Sequence, residues 1–251
     1  MPDLPIHNLD LAAIALRLEG LEETIIYHLI ERIQFLRNSI VYTAGKSGFD
    51  GEPDRSLLDI RLLYHEKMDS AFGRFAVPEE RPFTPGLPEP RRKVNLPDYP
   101  IVLEDFNSIN LTSKIKHAYI DLLPEICQEG DDGQYGSSVE HDVYALQAIS
   151  RRIHFGALFV AESKYQDNPD LFRKMTNASD QTGIIKALTR EEVERKIISR
   201  VREKMEIVQS TANPEIRVLI DPDLVVRFYK DTVIPLTKEG ELLYLLSRCR
   251  S

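Results

Sequence analysis

Cysteine is nearly absent from this chain: two residues in 251, Cys127 and Cys249. That is too few for a secreted disulfide framework and leaves no basis for a cysteine-built zinc site. Positive charge is short as well, with 32 Lys and Arg against 40 Asp and Glu and a formal charge of -8. Nucleic-acid affinity rests on basic contacts to phosphate, and polybasic segments are what anionic membranes attract, so neither partner is expected. No stretch approaches the roughly 18 consecutive apolar residues of a transmembrane helix. The opening MPDLPIHNLD has neither the basic n-region nor the apolar h-region of a secretory signal. A reduced, cytoplasmic compartment is therefore expected.

What the chain has in quantity is helical periodicity. Hydrophobic residues at 42% and charged residues at 29% are ordinary proportions for a globular protein, and the length suits one large domain over residues 1–251. Leu11, Ile14, Leu18, Leu21, Ile25 and Leu29 recur at steps of three and four, the buried stripe of a long first helix that Asp10 can cap. A Gly- and Asp-rich loop comes next, from Gly45 to Asp54. A second helical stretch is predicted from about Ser56 to Phe75, with Leu58, Leu62 and Phe72 among its apolar positions. Further helices are predicted at about Thr112–Cys127, from Ser137 or Ser138 to about Tyr165, and from Arg190 to about Thr211. Thr189 with Glu192 has the form of a capping box for the last of these. Asp221-Pro222 reads as a cap with proline in the first turn, and Pro235 as a break before a final helix ending near Cys249. Ile216–Ile220 is the one strand candidate. The expectation is an all-α fold of about ten or more helices.

Seven of the 15 prolines fall in residues 77–100: Pro78, Pro82, Pro85, Pro88, Pro90, Pro97 and Pro100. Proline withholds a backbone donor and fixes φ, so this stretch is predicted to be an extended loop. Other local signals lead nowhere. Gly45-Lys46-Ser47 has the ending of a phosphate-binding loop, but the glycine required five positions earlier is Ile40, and an ordinary turn is expected. Gly136-Ser137-Ser138 lacks the second glycine of a nucleophile elbow. His7, His28, His65, His117, His141 and His154 form no metal-binding pair by spacing, and Arg91-Arg92-Lys93 reads as a solvated basic cluster.

Several charged residues sit inside the predicted helices: Arg151-Arg152, then Glu162 and Lys164 beyond Gly156. Glu194 lies one turn after Arg190, and Thr237 with Glu241 occupies one helix face. A long charged side chain within a bundle is costly unless paired or functional, although surface ion pairs would account for many of these. Three sets of residues carry a resemblance. The first is Ser150-Arg-Arg-Ile-His-Phe-Gly156 with Phe159-Val-Ala-Glu-Ser-Lys164. The second is Val233-Ile-Pro-Leu-Thr-Lys-Glu-Gly-Glu-Leu-Leu-Tyr-Leu-Leu246. The third is Leu9-Asp-Leu-Ala12, Leu21-Glu-Glu-Thr-Ile-Ile26 and His28-Leu-Ile-Glu-Arg32. In their order they resemble the eukaryotic, all-helical chorismate mutases, and they span nearly the whole chain.

That resemblance implies a cytosolic homodimer with one active site per subunit. It implies the pericyclic rearrangement of chorismate to prephenate, on the route to phenylalanine and tyrosine. The reaction is unimolecular, so no metal or cofactor is implied. The substrate is a small dicarboxylate, so its pocket needs cations for two carboxylates, a shape that holds the enolpyruvyl group over the ring, and donors aimed at the ether oxygen. By resemblance, Arg152 binds a carboxylate and Lys164 reaches a carboxylate and the ether oxygen. Thr237 assists binding. Glu241 donates to the ether oxygen in its protonated form, which requires a raised pKa. Glu194 hydrogen-bonds the ring hydroxyl.

The chain departs from the family pattern at this pocket. Where the family has Asn-Ile-Arg, this chain has Ala13-Ile14-Ala15, so Ala15 replaces a substrate-binding arginine. Arg17, two positions on, is rotated by about 200° and cannot substitute. Arg190 stands where the family has Asn. The segment between Gly156 and Phe159 is one residue longer, which rotates the turns beyond it by about 100° unless a π-bulge absorbs the extra residue. Three readings stay open. Arg190 supplies the cation that Ala15 lacks; or the chain rearranges or binds a different small acid; or it is inactive and acts through dimerisation.

The resemblance also implies tyrosine inhibition and tryptophan activation at the dimer interface. Gly136 and Ser137 match effector-site residues, and Arg74 matches one of a pair of arginines whose other member is Gly73 here. Glu140 falls where a threonine contacts effector, so weakened tyrosine inhibition is expected.

Overall fold

The computed structural model describes residues 9–103 and 105–249; His7 lies outside them. Helix α1 spans Leu11–Arg32, and Asp10 caps it by accepting from the Ala12 amide at 2.9 Å. Of its predicted apolar stripe Ile14, Leu21, Ile25 and Leu29 are at 4% exposure or less, as is Ile26, while Leu11 and Leu18 are half-buried. At its end, Arg32 is fully buried. It donates to Asp142 Oδ1 at 2.5 Å and to Tyr42 Oη at 2.8 Å, and closes the turn by bonding the carbonyls of Phe35, Leu36 and Arg37.

Helix α2, Leu57–Ala71, starts on a complete capping box in which Ser56 and Asp59 bond each other's amides. It ends before Phe75 because Gly73 takes φ 83, the left-handed conformation that stops a helix. Phe72 is consequently exposed and is not part of the apolar face. The proline-rich stretch 77–100 has no helix or strand among its described residues. Two of its amides, Phe83 and Thr84, are taken by the Glu66 carboxylate at 2.8 and 2.7 Å, which ties the loop to α2. Gly45-Lys46-Ser47 lies in an ordinary turn in which the Gly45 amide bonds Arg55 O.

Helix α3 is Thr112–Ile126. Helix α4 is continuous through three segments: α-helical Tyr135–Phe155, a π turn at Gly156–Val160, and α-helical Ala161–Asp167. It begins two residues before Ser137, and Ser138 is buried in its first turn. Two short helices come after it that the periodicity did not reveal, α5 (Pro169–Asn177) and α6 (Gln181–Leu188). Helix α7 is Glu191–Ser210. Its capping box is not formed, because the Thr189 hydroxyl donates back to Ile185 O and so closes α6 instead. Helix α8 joins Pro222–Phe228, a π turn at Tyr229–Val233 and Ile234–Arg248.

Pro235 therefore does not break this last helix. Ile234 N–H bonds Tyr229 O five residues back, and the wider turn accommodates the proline where a regular α turn would clash. With both π turns counted inside their helices, the described residues hold eight α-helices and three short 3-10 turns, rather than about ten or more helices. They contain no strand either. The amide and carbonyl of Val218 bond the Gln34 side chain, and those of Ile220 bond the Gln209 side chain. Two glutamine amides thus satisfy the extended backbone that a neighbouring strand would otherwise pair.

Two apolar clusters form the core, and α1, α4 and α8 pass through both. On α1 one cluster ends at Leu21 and the other begins at Ile25, with buried Glu22 between them. On α4 the change falls between Ile153 and Phe155, next to Arg152. On α8 it falls between Val233 and Tyr244, around Thr237 and Glu241. A polar layer thus crosses the bundle between two hydrophobic ones.

Candidate active site

A cavity of about 220 Å³ opens onto this polar layer, lined by residues of α1, α4, α7 and α8. Its position depends on the π turn of α4. Arg152 and Lys164 are twelve residues apart, which in an unbroken α-helix would set them about 120° apart in azimuth. With one residue absorbed in the π turn, the offset falls to about 20°. Both side chains accordingly line the cavity.

Close approach of α8 to α4 requires two glycines. A Cβ on Gly156 would stand 2.8 Å from Thr237 Cγ2 and 3.4 Å from Arg152 Nη1; one on Gly240 would stand 2.5 Å from Ala157 Cβ. Glycine at these positions lets Thr237 reach Arg152, whose Nη1 donates to Thr237 Oγ1 at 3.0 Å. The Thr237 hydroxyl gives its own proton to Val233 O.

Arg152 is 2% exposed, and its second partner is Glu22, at 3.5 Å. Its Nε has no hydrogen-bond partner among the described residues. Glu22 is held more firmly from the other side by Arg200, in two bonds of 2.9 Å. Two guanidinium groups therefore share one buried carboxylate, which leaves Arg152 with unspent positive charge facing the cavity.

Lys164 Nζ donates to Leu188 O at 2.7 Å and to Glu241 Oε2 at 3.2 Å. Burial raises the Glu241 pKa above the ordinary carboxylate value, against the opposing pull of Lys164, Arg152 and Lys238. Glu194 also lines the cavity, and it is ion-paired with Lys238 at 2.7 Å. Sequence reasoning did not identify Lys238 or Arg200; their partners lie far away in the chain, and neither sits in a spacing motif.

Arg190 precedes the first turn of α7, is exposed, and lines the cavity with no ion pair or hydrogen bond to its side chain among the described residues. The α1 side of the cavity is apolar: Leu11, Ile14, Ala15 and Leu18. Arg17 is not part of the lining. It lies 4.0 Å from Glu79 and over the Phe155 ring, as the helical rotation predicts. Glu162 serves packing away from the cavity, accepting from Tyr244 Oη at 2.6 Å and Arg248 Nε at 3.0 Å. Arg151 turns to Glu79 and Glu80.

The three residues matched to an effector site lie outside the cavity lining. Arg74 bonds Asp69, Glu80 and Gln147. Gly136 and Ser137 are in the first turn of α4, eleven and ten residues before Gln147, or roughly 15 Å along the helix. Glu140 is ion-paired with Arg61 at 2.7 Å and accepts from Tyr144 Oη. Among the described residues there is no group of three His, Cys, Asp or Glu able to hold a metal ion, and no helix long and apolar enough to cross a membrane.

No protein-family model matches the chain. It is 39% identical over 259 residues to the chorismate mutase of Trichoderma parareesei, covering 96% of this chain and 93% of that one. The crystal structure of the Candida albicans chorismate mutase in complex with L-Trp superposes with a TM-score of 0.89 at 38% identity, covering 96% of this chain and 92% of that one. A further solved structure, with tyrosine bound in an allosteric site, superposes with a TM-score of 0.84 at 35% identity and covers 98% of both chains.

Proposed function

This chain belongs to the eukaryotic, all-helical chorismate mutase family, and on that premise we propose that its cavity rearranges chorismate to prephenate. The observation that carries the reading is the convergence of Arg152, Lys164, Thr237 and Glu241 on one cavity, which requires the π turn of α4 to absorb its extra residue. In the rearrangement an ether C–O bond breaks while a C–C bond forms within the same molecule, so no group is transferred to the protein. The chain's work is to hold a compact conformer and to stabilise charge on the departing oxygen. Positioning can supply on the order of 7–11 kcal/mol of barrier lowering, and a donor at a developing oxyanion about 3–4 kcal/mol.

Arg152 holds one carboxylate by its uncompensated charge. Lys164 bridges a carboxylate and the ether oxygen. Glu241, kept protonated by burial once a dianion occupies the cavity, donates to the same oxygen. Thr237 positions Arg152, and Glu194 accepts from the ring hydroxyl while Lys238 orients it. The apolar α1 wall around Ala15 favours a second reading, turnover or binding of a different small acid with a less charged body.

The functional unit we propose is a homodimer. Tyr64 and Met68 on α2 and Phe72 just past its end recur every four residues and are 60%, 54% and 68% exposed, an apolar stripe that pairing with a second copy would bury. Tyrosine and tryptophan are the proposed effectors, bound at the dimer interface by Arg74, Gly136 and Ser137. A cytosolic setting fits the two free cysteines, Cys127 and Cys249. Chorismate loss and prephenate formation by the purified protein, measured beside an Ala15→Arg variant, test the activity. Turnover by the wild type supports it. No turnover by the wild type, with or without rescue by Ala15→Arg, overturns it and points to other small acids.

A further inference from the structure

Four cations line the cavity: Arg152, Lys164, Arg190 and Lys238. Three are already engaged with carboxylates of the chain. Lys164 holds Glu241, Lys238 holds Glu194, and Arg152 shares Glu22 with Arg200. Arg190 alone has no partner among the described residues, and it differs in depth, being exposed where Arg152 is 2% exposed. Facing it, α1 offers only apolar side chains.

A dianion entering this cavity therefore meets positive charge at two levels. We infer that one carboxylate is held in the buried layer by Arg152 and Lys164 and the other at the mouth by Arg190, so that Arg190 governs capture of the substrate rather than the rearrangement. This rests on the proposed function. The physical reason for the division is solvent. A buried cation acts in a medium of low effective dielectric and senses charge moving on the reacting atoms. An exposed one is screened by water and salt and binds the ground state and transition state alike. Loss of such uniform binding raises KM and leaves kcat nearly constant.

The experiment compares steady-state kinetics and calorimetric titration of chorismate at low and high salt, using Arg190→Gln, Arg190→Lys and the double variant Ala15→Arg with Arg190→Gln. Arg195→Gln removes the same formal charge from an exposed position of α7 outside the cavity lining and serves as the control. For Arg190→Gln, KM is expected to rise about tenfold with kcat within about threefold, and the salt dependence of kcat/KM to flatten. Arg190→Lys should lie between the two, and the double variant should recover part of the lost affinity by placing the cation on α1. The control should match the wild type. Unchanged KM and salt dependence in Arg190→Gln, or a fall confined to kcat, overturns the inference and leaves the proposed activity standing. A wild-type protein that neither binds nor converts chorismate overturns both.

Discussion

Lys164 Nζ stands 3.2 Å from Glu241 Oε2, across the seam between α4 and α8. The pair joins two opposing influences on one carboxyl: burial, which raises its pKa, and the nearby ammonium, which lowers it. Burial is the larger, and the pKa lies above the ordinary value. The rearrangement needs the protonated form, which is present below the raised pKa and lost as pH rises through it. kcat/KM for chorismate is thus expected to fall with rising pH, and Glu241→Gln, which keeps a donor at every pH, to flatten that profile. A Glu241→Gln variant with the wild-type pH dependence would show that another group titrates.

The π turn of α4 predicts an asymmetry between deletion and insertion. Removing Leu158 leaves Arg152 and Lys164 eleven residues apart, which a regular α-helix accommodates with both on one face. That variant should fold and keep turnover within about tenfold, allowing for repacking of the buried residues around the site. Inserting an alanine after Leu158 exceeds what one π turn absorbs, and should abolish turnover. Melting temperature and prephenate formation measured on both variants check this.

Asp142 is fully buried and accepts from Arg32 Nε, Tyr42 Oη and Tyr119 Oη. Asp142→Asn leaves a buried guanidinium without its counter-charge, and should cost about 3–5 kcal/mol in denaturant unfolding. Replacing both partners, Arg32→Met with Asp142→Leu, should cost less than the single change. Equal costs would show that the charge pairing contributes little there.

Glu140 lies one turn after Gly136 and Ser137 on α4, where it is ion-paired with Arg61. Tyrosine is expected to inhibit the wild type weakly, because its own carboxylate would meet that of Glu140. Glu140→Thr should strengthen inhibition by about tenfold or more, read from tyrosine titrations of chorismate turnover. Strong inhibition of the unaltered protein at micromolar tyrosine would overturn the expectation.

Amino-acid order alone revealed the elements whose signals are local. The stripe along α1, the Asp10 cap and the Asp221 cap each depend on neighbours within a turn or two, and each lies in or beside the helix the periodicity places there, whereas the stop at Gly73 falls inside the stretch that periodicity carried on to Phe75. The family resemblance reached further. It named Arg152, Lys164, Thr237 and Glu241, and the surplus residue near Gly156 already required a π-bulge if the first two were to share a pocket. Local signals failed where a distant group took over the bonding. Gln34 and Gln209 satisfy the backbone at Val218 and Ile220 and remove the need for a strand. A π turn lets α8 run through Pro235. Only the tertiary structure pairs Glu22 with Arg200 and Glu194 with Lys238, and leaves Arg190 unpaired at the mouth of the cavity. Periodicity records which face of a helix is buried; which charge meets which depends on how the helices cross, and that is decided by packing among residues far apart in the chain.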